Sequence, residues 1–245
     1  MVQGTIVLAI VLVLSLALNS VYQVIHKPSE LFFPVSGALN KTPAETWRRY
    51  EAIFRQYATP IVTPELLAAL AQEEGAGNPV ARTYWRWSWR MRPFEMYRPA
   101  SSSVGMYQMT DGTFAEARHY CIRNHAVAKE GAWDDWAACW FNGLYVRVLP
   151  SHAVELTSAY LDFHVRSTLA RNRVADAALQ LKQHLAATIH LCGAGAGDLY
   201  ARNGFQFAAG QRCGDHDPRV YLARIERLKW YFHRLDKANS ELDRN

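Results

Sequence analysis

A mainly α, single-domain protein behind an N-terminal apolar helix is the fold class that the sequence predicts, on three observations. Residues 4–25 carry no charged side chain. Two Thr-Pro helix starts, at Thr42 and Thr63, each lead into apolar residues at helical spacing. Strand-like alternation is scarce. Half of the 245 residues are hydrophobic, enough to bury a substantial core, and no segment is of low complexity, which excludes an intrinsically disordered chain.

The first 25 residues read as a membrane anchor or signal segment. Ile6 to Leu18 is almost continuously aliphatic, and the 22 residues from Gly4 to Ile25 would reach about 33 Å as a helix, enough to cross a bilayer core of about 30 Å. Leu18-Asn19-Ser20 makes a poor cleavage site, so an uncleaved anchor is preferred over a signal peptide. No Lys or Arg precedes the apolar stretch to set its orientation. Residues 26–41, with two prolines, two serines and a glycine, read as a linker. The domain is expected to fill 42–240.

Export gives the cysteines a meaning. Cys121, Cys139, Cys192 and Cys213 show no C-x-x-C spacing, so neither a metal site nor a redox pair is expected, and no cofactor is. An even set in an oxidising compartment suggests two disulfides with three possible connectivities; pairing neighbours gives Cys121 with Cys139 and Cys192 with Cys213.

Thr42-Pro43-Ala44-Glu45 has the form of a capping box, and Trp47, Tyr50, Ile53, Phe54 and Tyr57 follow at helical spacing until Pro60. The helix starting at Thr63-Pro64 runs out at Gly75 and Gly77, placing Glu73 and Glu74 in its last turn. Carboxylates are disfavoured there by the helix dipole. Glu74 follows Leu67, Leu70 and Ala71 by seven, four and three residues, which puts it on the inward face and Glu73 further toward solvent. Partial desolvation of a carboxyl favours its protonated form, the condition that a general acid near neutral pH needs.

Tyr84 to Arg90 holds four aromatics and two arginines in seven residues, a short strand or loop suited to stacking sugars or bases. Residues 115–185 read as several helices, for instance 154–171. Cys192 to Gly197 breaks the pattern, and a last helix is expected over 218–237. The net charge of +5 favours an acidic partner without identifying it; export weighs against nucleic acid.

Three separated segments resemble the SLT-type lytic transglycosylases, whose catalytic domain has a goose-type lysozyme-like fold. Glu73-Glu74-Gly75-Ala76-Gly77-Asn78-Pro79 is similar to that family's helix end, Glu-Ser followed by Asn-Pro, and aligns Glu74 with the catalytic glutamate. Ser102-Ser103-Val104-Gly105-Met106-Tyr107-Gln108, ending at Thr113, resembles its Gly-Ala-x-Gly-Leu-Met-Gln stretch. Cys192-Gly193-Ala194-Gly195 looks like the end of its Ala-Tyr-Asn motif, and Tyr221 stands like the tyrosine opening the closing helix. The matched frame covers residues 60 to 235. Gly75 departs from the family's serine, Asp111 from its proline, and Ile189-His190-Leu191 from Ala-Tyr-Asn.

The resemblance implies cleavage of the bond between N-acetylmuramic acid and N-acetylglucosamine in peptidoglycan glycan strands, in the periplasm and next to the inner membrane. Glu74 would act first as acid and then as base, and the sugar's own 6-hydroxyl would close a 1,6-anhydro ring. Gln108, Tyr107, Met106, Ser103, His190 and Tyr221 would hold the sugar, with Trp85, Trp87 and Trp89 extending the cleft. A lysozyme-like hydrolase would need a second carboxylate, for which Glu95 and Asp111 are candidates. A non-catalytic wall-binding protein of the same fold is the other alternative. The protein partners and the process served are not specified.

Overall fold

The structure, a computed structural model, describes residues 2–88, 97–131, 135, 138–174 and 176–242. Helix accounts for 64% and strand for 8%, so the mainly α class read from periodicity holds. Helix α1 (Val2–His26) is long and apolar enough to cross a membrane and stands clear of the rest over most of its length. Its last two turns are different: Asn19 and Gln23, four residues apart on one face, are buried against the domain.

The segment read as a linker consists of helical turns, Pro28–Phe32 and Gly37–Leu39, around the short α2 (Phe33–Ser36). They are held down by Asn78, whose Nδ2 donates to the Ser36 carbonyl at 2.5 Å and to Asn40 Oδ1 at 2.9 Å. Ser36 Oγ donates in turn to the Val80 carbonyl at 3.1 Å. The Asn-Pro pair thus ties this segment to the end of the following helix pair.

Helix α3 (Pro43–Tyr57) begins with the capping box predicted from Thr42 and Glu45. Trp47, Tyr50 and Phe54 are buried on one face, with Ile53 and Tyr57 packed at its edges. Helix α4 (Pro64–Gly75) is the hub of the core: Leu66 to Ala71 are all fully buried. It ends where Ala76 adopts a left-handed conformation (φ 48°) and its N–H closes on the Ala71 and Gln72 carbonyls.

Strands β1 (Trp85–Trp87) and β2 (Tyr97–Pro99) form an antiparallel pair. After α5 (Asp111–Ala117) comes a second hairpin, β3 (Tyr120–Arg123) with β4 (Ala126–Lys129). The sequence reading put only helices in this stretch. Its turn residues, Asn124 and His125, both have positive φ, the conformation of a tight hairpin turn. No glycine signals that turn.

Helices α6 (Pro150–Arg171), α7 (Leu179–Cys192), α8 (Ala194–Arg202) and α9 (Pro218–Leu242) complete the bundle, with α9 laid along α4. The glycine-rich break after Cys192 is a single corner at Gly193 (φ 83°), after which α8 resumes at once. Gly197 is needed there, because a Cβ would lie 2.4 Å from the Ile189 side chain.

Cys121 pairs with Cys139 and Cys192 with Cys213, the neighbour pairing expected from the sequence. The second bond joins the end of α7 to the loop before α9, across 21 residues. Cross-linking a loop of this size stabilises by about 3 kcal/mol. The double variant Cys192→Ser/Cys213→Ser is therefore expected to unfold at lower urea, with a loss of about 2–4 kcal/mol. Superimposable urea curves would mean that other contacts already hold α7 to α9.

Candidate functional site

The last turn of α4 presents Glu73 and Glu74 at the negative end of the helix dipole, where bare carboxylates are destabilised. Helix α9 supplies the compensation. Arg224 Nη1 donates to Glu73 Oε1 at 3.1 Å, and the Tyr221 hydroxyl donates to Glu74 Oε1 at 2.6 Å. Tyr221 and Arg224 are three residues apart, so one helical face serves both carboxylates. From α7, His190 Nε2 reaches within 3.7 Å of the same Glu74 oxygen.

The protonation states follow from burial. Burial pushes the Tyr221 hydroxyl well above the ordinary tyrosine range, and the Glu74 charge adds to this, so it stays a proton donor. Burial lowers the His190 pKa, opposed by the Glu74 charge and a hydrogen bond to the Tyr107 backbone. The imidazole is thus held neutral at neutral pH. Glu74 keeps 18% of its side chain exposed, enough to meet a ligand from one side only.

Three other carboxylates among the described residues lie deeper but are committed to structure, Glu30 being held by Lys27, Arg82 and Trp85. Glu155 accepts from the Ile122 N–H and the Tyr145 hydroxyl, and Asp162 from the Thr59 hydroxyl and Arg166. Glu74 instead opens on cavities. One of 540 Å³ lies between the α4 end and Asn40, Asn78 and Tyr84. A second, of 360 Å³, is bounded by Asp215, Asp217, Tyr221 and Arg224, and Glu73 and Glu74 line both. A third, of 240 Å³, is lined by His190 and Gln108 and lies on the other side of Leu191, which lines the second as well. Glu74 thus lines two of the three cavities.

The turn from Val104 to Met109 is the floor of this arrangement. Gly105 (φ 82°) and Gln108 (φ 44°) both take left-handed backbone, and Gln108 Nε2 donates to the Ala81 and Gly105 carbonyls at 3.1 and 2.9 Å. Met106 and Tyr107 are buried in the core, with the Tyr107 hydroxyl on the Leu67 carbonyl of α4 at 3.2 Å. They buttress the α4 end from beneath and do not line it. Ser103 is buried in the preceding loop. At Gly75, a Cβ would stand 2.9 Å from both the Met106 Cα and the Met106 carbonyl oxygen. The glycine is what lets the Glu74 turn sit on the Met106 backbone.

Of the residues chosen from the sequence, Glu74, His190 and Tyr221 meet directly and Gln108 stands in the adjoining cavity. Trp85 and Trp87 do not line these cavities: Trp85 Nε1 donates to Glu30 Oε2 at 2.8 Å, and both rings lie against Tyr97. Asp111 is paired with Arg147 at 2.7 Å and lines a different cavity, beside Lys27 and Arg98. Trp89 and Glu95 lie outside the described residues. Of the aromatic segment read as a stacking platform, Tyr84 lines the 540 Å³ cavity; sequence reading missed Asp215, Asp217 and Arg224. Asp217, directly before Pro218, had a visible signal as a helix N-cap, and its Oδ1 accepts the Arg219 N–H at 2.9 Å. Among the described residues no cluster of three His, Cys, Asp or Glu side chains is arranged to hold a metal.

The chain matches no family model, no curated protein and no solved structure.

Proposed function

We propose that the protein is a peptidoglycan lytic transglycosylase with a lysozyme-like domain, anchored on the periplasmic side of the inner membrane, and that Glu74 is its acid and base. The observation that carries this reading is the 2.6 Å hydrogen bond between Tyr221 and Glu74. It joins two residues 147 positions apart that the same family resemblance singles out, Glu74 by its motif and Tyr221 by its place at the start of the closing helix.

Oε1 is occupied by Tyr221 and faces His190, which leaves Oε2 as the oxygen to carry the acid proton. Glu74 protonates the glycosidic oxygen as the bond to the leaving sugar breaks, and the sugar's own N-acetyl group or an oxocarbenium-like state holds the anomeric carbon. Glu74, now a carboxylate, accepts the proton of the 6-hydroxyl as that oxygen closes the ring. Tyr221 stabilises the carboxylate formed midway, and neutral His190 adds polarity without a fixed charge. Hydrogen bonds to a charged group contribute about 1.5–3 kcal/mol, so Tyr221→Phe is expected to lower kcat roughly tenfold or more. KM should change little. A rise in KM at constant kcat would make Tyr221 a sugar-binding group instead.

A second reading, a hydrolase, is favoured by one observation: Asp215 and Asp217 line the same 360 Å³ cavity as Glu74. Either could activate a water. Mass spectrometry of peptidoglycan fragments released by the full chain in detergent separates the two. Anhydro-muropeptides support the transglycosylase, reducing-end products the hydrolase, and binding without release a wall-binding protein.

A further inference from the structure

We infer that the cavity walled by Lys41, Arg48 and Arg49 is a subsite for the acidic peptide stem of peptidoglycan, with Asn40 donating to a stem amide and the cations meeting its carboxylates. The inference rests on the reading of Glu74 as acting on glycan strands, and it names the part of the strand that this chain selects.

The first support is position. Lys41 is fastened to the turn that carries Glu74. Its N–H donates to the Ala76 carbonyl at 2.8 Å, its Nζ to the Gly77 carbonyl at 3.2 Å, and Gln72 Nε2 to the Lys41 carbonyl at 3.1 Å. Ala76 is two Cα steps of about 3.8 Å from Glu74. Lys41 lines a cavity of 470 Å³ together with Glu45, Arg48 and Arg49. Asn40 lines this cavity and also the 540 Å³ cavity that holds Glu74. A substituent of two or three extended residues reaches about 7–11 Å, enough to pass from a sugar at Glu74 to the cations.

The second support is that these donors are unspent. Arg48 and Arg49 are exposed and make no hydrogen bond or ion pair among the described residues. Lys41 uses two of its three N–H donors, on the Leu39 and Gly77 carbonyls. Burial lowers the Lys41 pKa and the Arg49 charge lowers it further, with Glu45 acting the other way. Glu45 is the acidic residue on this cavity, but its Oε2 accepts from the Thr42 N–H and hydroxyl, both at 2.8 Å. It closes the N-terminus of α3 and forms no ion pair with either arginine. Asn40 is fixed in the same way from one end: its Oδ1 accepts from Asn78 Nδ2 at 2.9 Å, and its own Nδ2 has no partner among the described residues.

The third support is chemical fit. Neutral sugar rings give three cations nothing to neutralise. In the proposed substrate, the lactyl group of N-acetylmuramic acid bears a peptide whose free carboxylates begin at its second residue, and arginine pairs with carboxylate through two parallel hydrogen bonds. Lipid phosphate is another anion open to an anchored protein; the lining shared with the Glu74 cavity favours the stem.

The test is isothermal titration of the full chain in detergent with two soluble probes. One is the disaccharide N-acetylglucosamine–N-acetylmuramic acid bearing a tripeptide stem, and the other is the same compound with its stem carboxylates amidated. Neither contains the proposed scissile bond. Free carboxylates are expected to tighten binding about tenfold, the worth of two partly exposed ion pairs, and about 0.5 M salt should remove most of that gain. Arg48→Gln/Arg49→Gln, at two exposed positions, should bind the amidated probe as the parent does and lose the gain. A gain that persists in the variant would overturn the inference, and loss of binding to phosphatidylglycerol vesicles beside it would make the cluster a lipid contact. Equal weakening of both probes would make the arginines a sugar or structural contact and overturn it as well. Fragment release from purified peptidoglycan by the same preparations separates the subsite from the reaction. Release without a carboxylate-dependent gain leaves the proposed function standing and overturns the subsite. A gain lost in the variant, without release, keeps the subsite on a wall-binding protein and ends the transglycosylase. Neither binding nor release would overturn both.

Discussion

Glu74→Gln is expected to reduce release of peptidoglycan fragments by about 10²–10⁴-fold, the range over which a positioned general acid contributes. The substitution keeps the shape and both hydrogen-bonding atoms, so the Tyr221 hydroxyl still finds an acceptor and thermal stability should be nearly unchanged. What is lost is the proton that Oε2 would deliver. Glu73→Gln is the internal control. Glu73 shares both cavities with Glu74 but is tied to Arg224, and its loss should cost less than about tenfold. The assay is fragment release from purified peptidoglycan, with wall pull-down on the same samples. Equal loss in both variants would mean that the pair acts as a unit and that Glu74 alone is not the acid. Full activity in Glu74→Gln would end the proposed mechanism.

What the sequence reveals and what it hides divides by the range of the interaction. The capping box at Thr42, the Thr63-Pro64 start and the apolar face of α3 are local, and each appears where its pattern placed it. The disulfide pairing was also legible, because joining neighbours closes the shortest loops. The β3–β4 hairpin was hidden because Asn124-His125 takes left-handed backbone without glycine. Trp85 and Trp87 carry the composition of a sugar platform, yet nothing in their own segment says that Glu30 and Tyr97 would claim them. Met106 and Tyr107 were read as ligand-facing through their motif; their burial depends on α4 lying across them, a contact some 40 residues away in the chain. In the site, helical phase put Glu74 inward and Glu73 further toward solvent, but the two side chains are equally exposed, at 18% and 19%. What separates them is their partners, Tyr221 and Arg224, which like Asp215 depend on how α9 and its leading loop fold back over α4.

Gly75→Ser separates the motif from the structure. By resemblance the substitution restores the residue that follows the catalytic glutamate and supplies a hydroxyl to orient it, so activity should rise or hold. In this fold the opposite is expected. The new Cβ would lie 2.9 Å from the Met106 Cα and carbonyl oxygen, both backbone atoms that no rotamer change can move. Relief requires α4 and the 104–109 turn to part, and forcing an extra group into such a contact costs about 1–3 kcal/mol. The shift falls on the residue next to Glu74. A displacement of about 1 Å at a reacting group can cost about 100-fold in rate. The expected result is therefore a stable but weakened protein, with urea stability lower by about 1–3 kcal/mol and fragment release lower by about 100-fold. Gly195→Ser is the matched control, since a Cβ there meets no atom within 4 Å, and it should be close to silent in both assays. If Gly75→Ser matched the parent in rate and stability, the α4 end could not be seated on Met106. The Glu74–Tyr221 geometry, which depends on that seat, would fall with it.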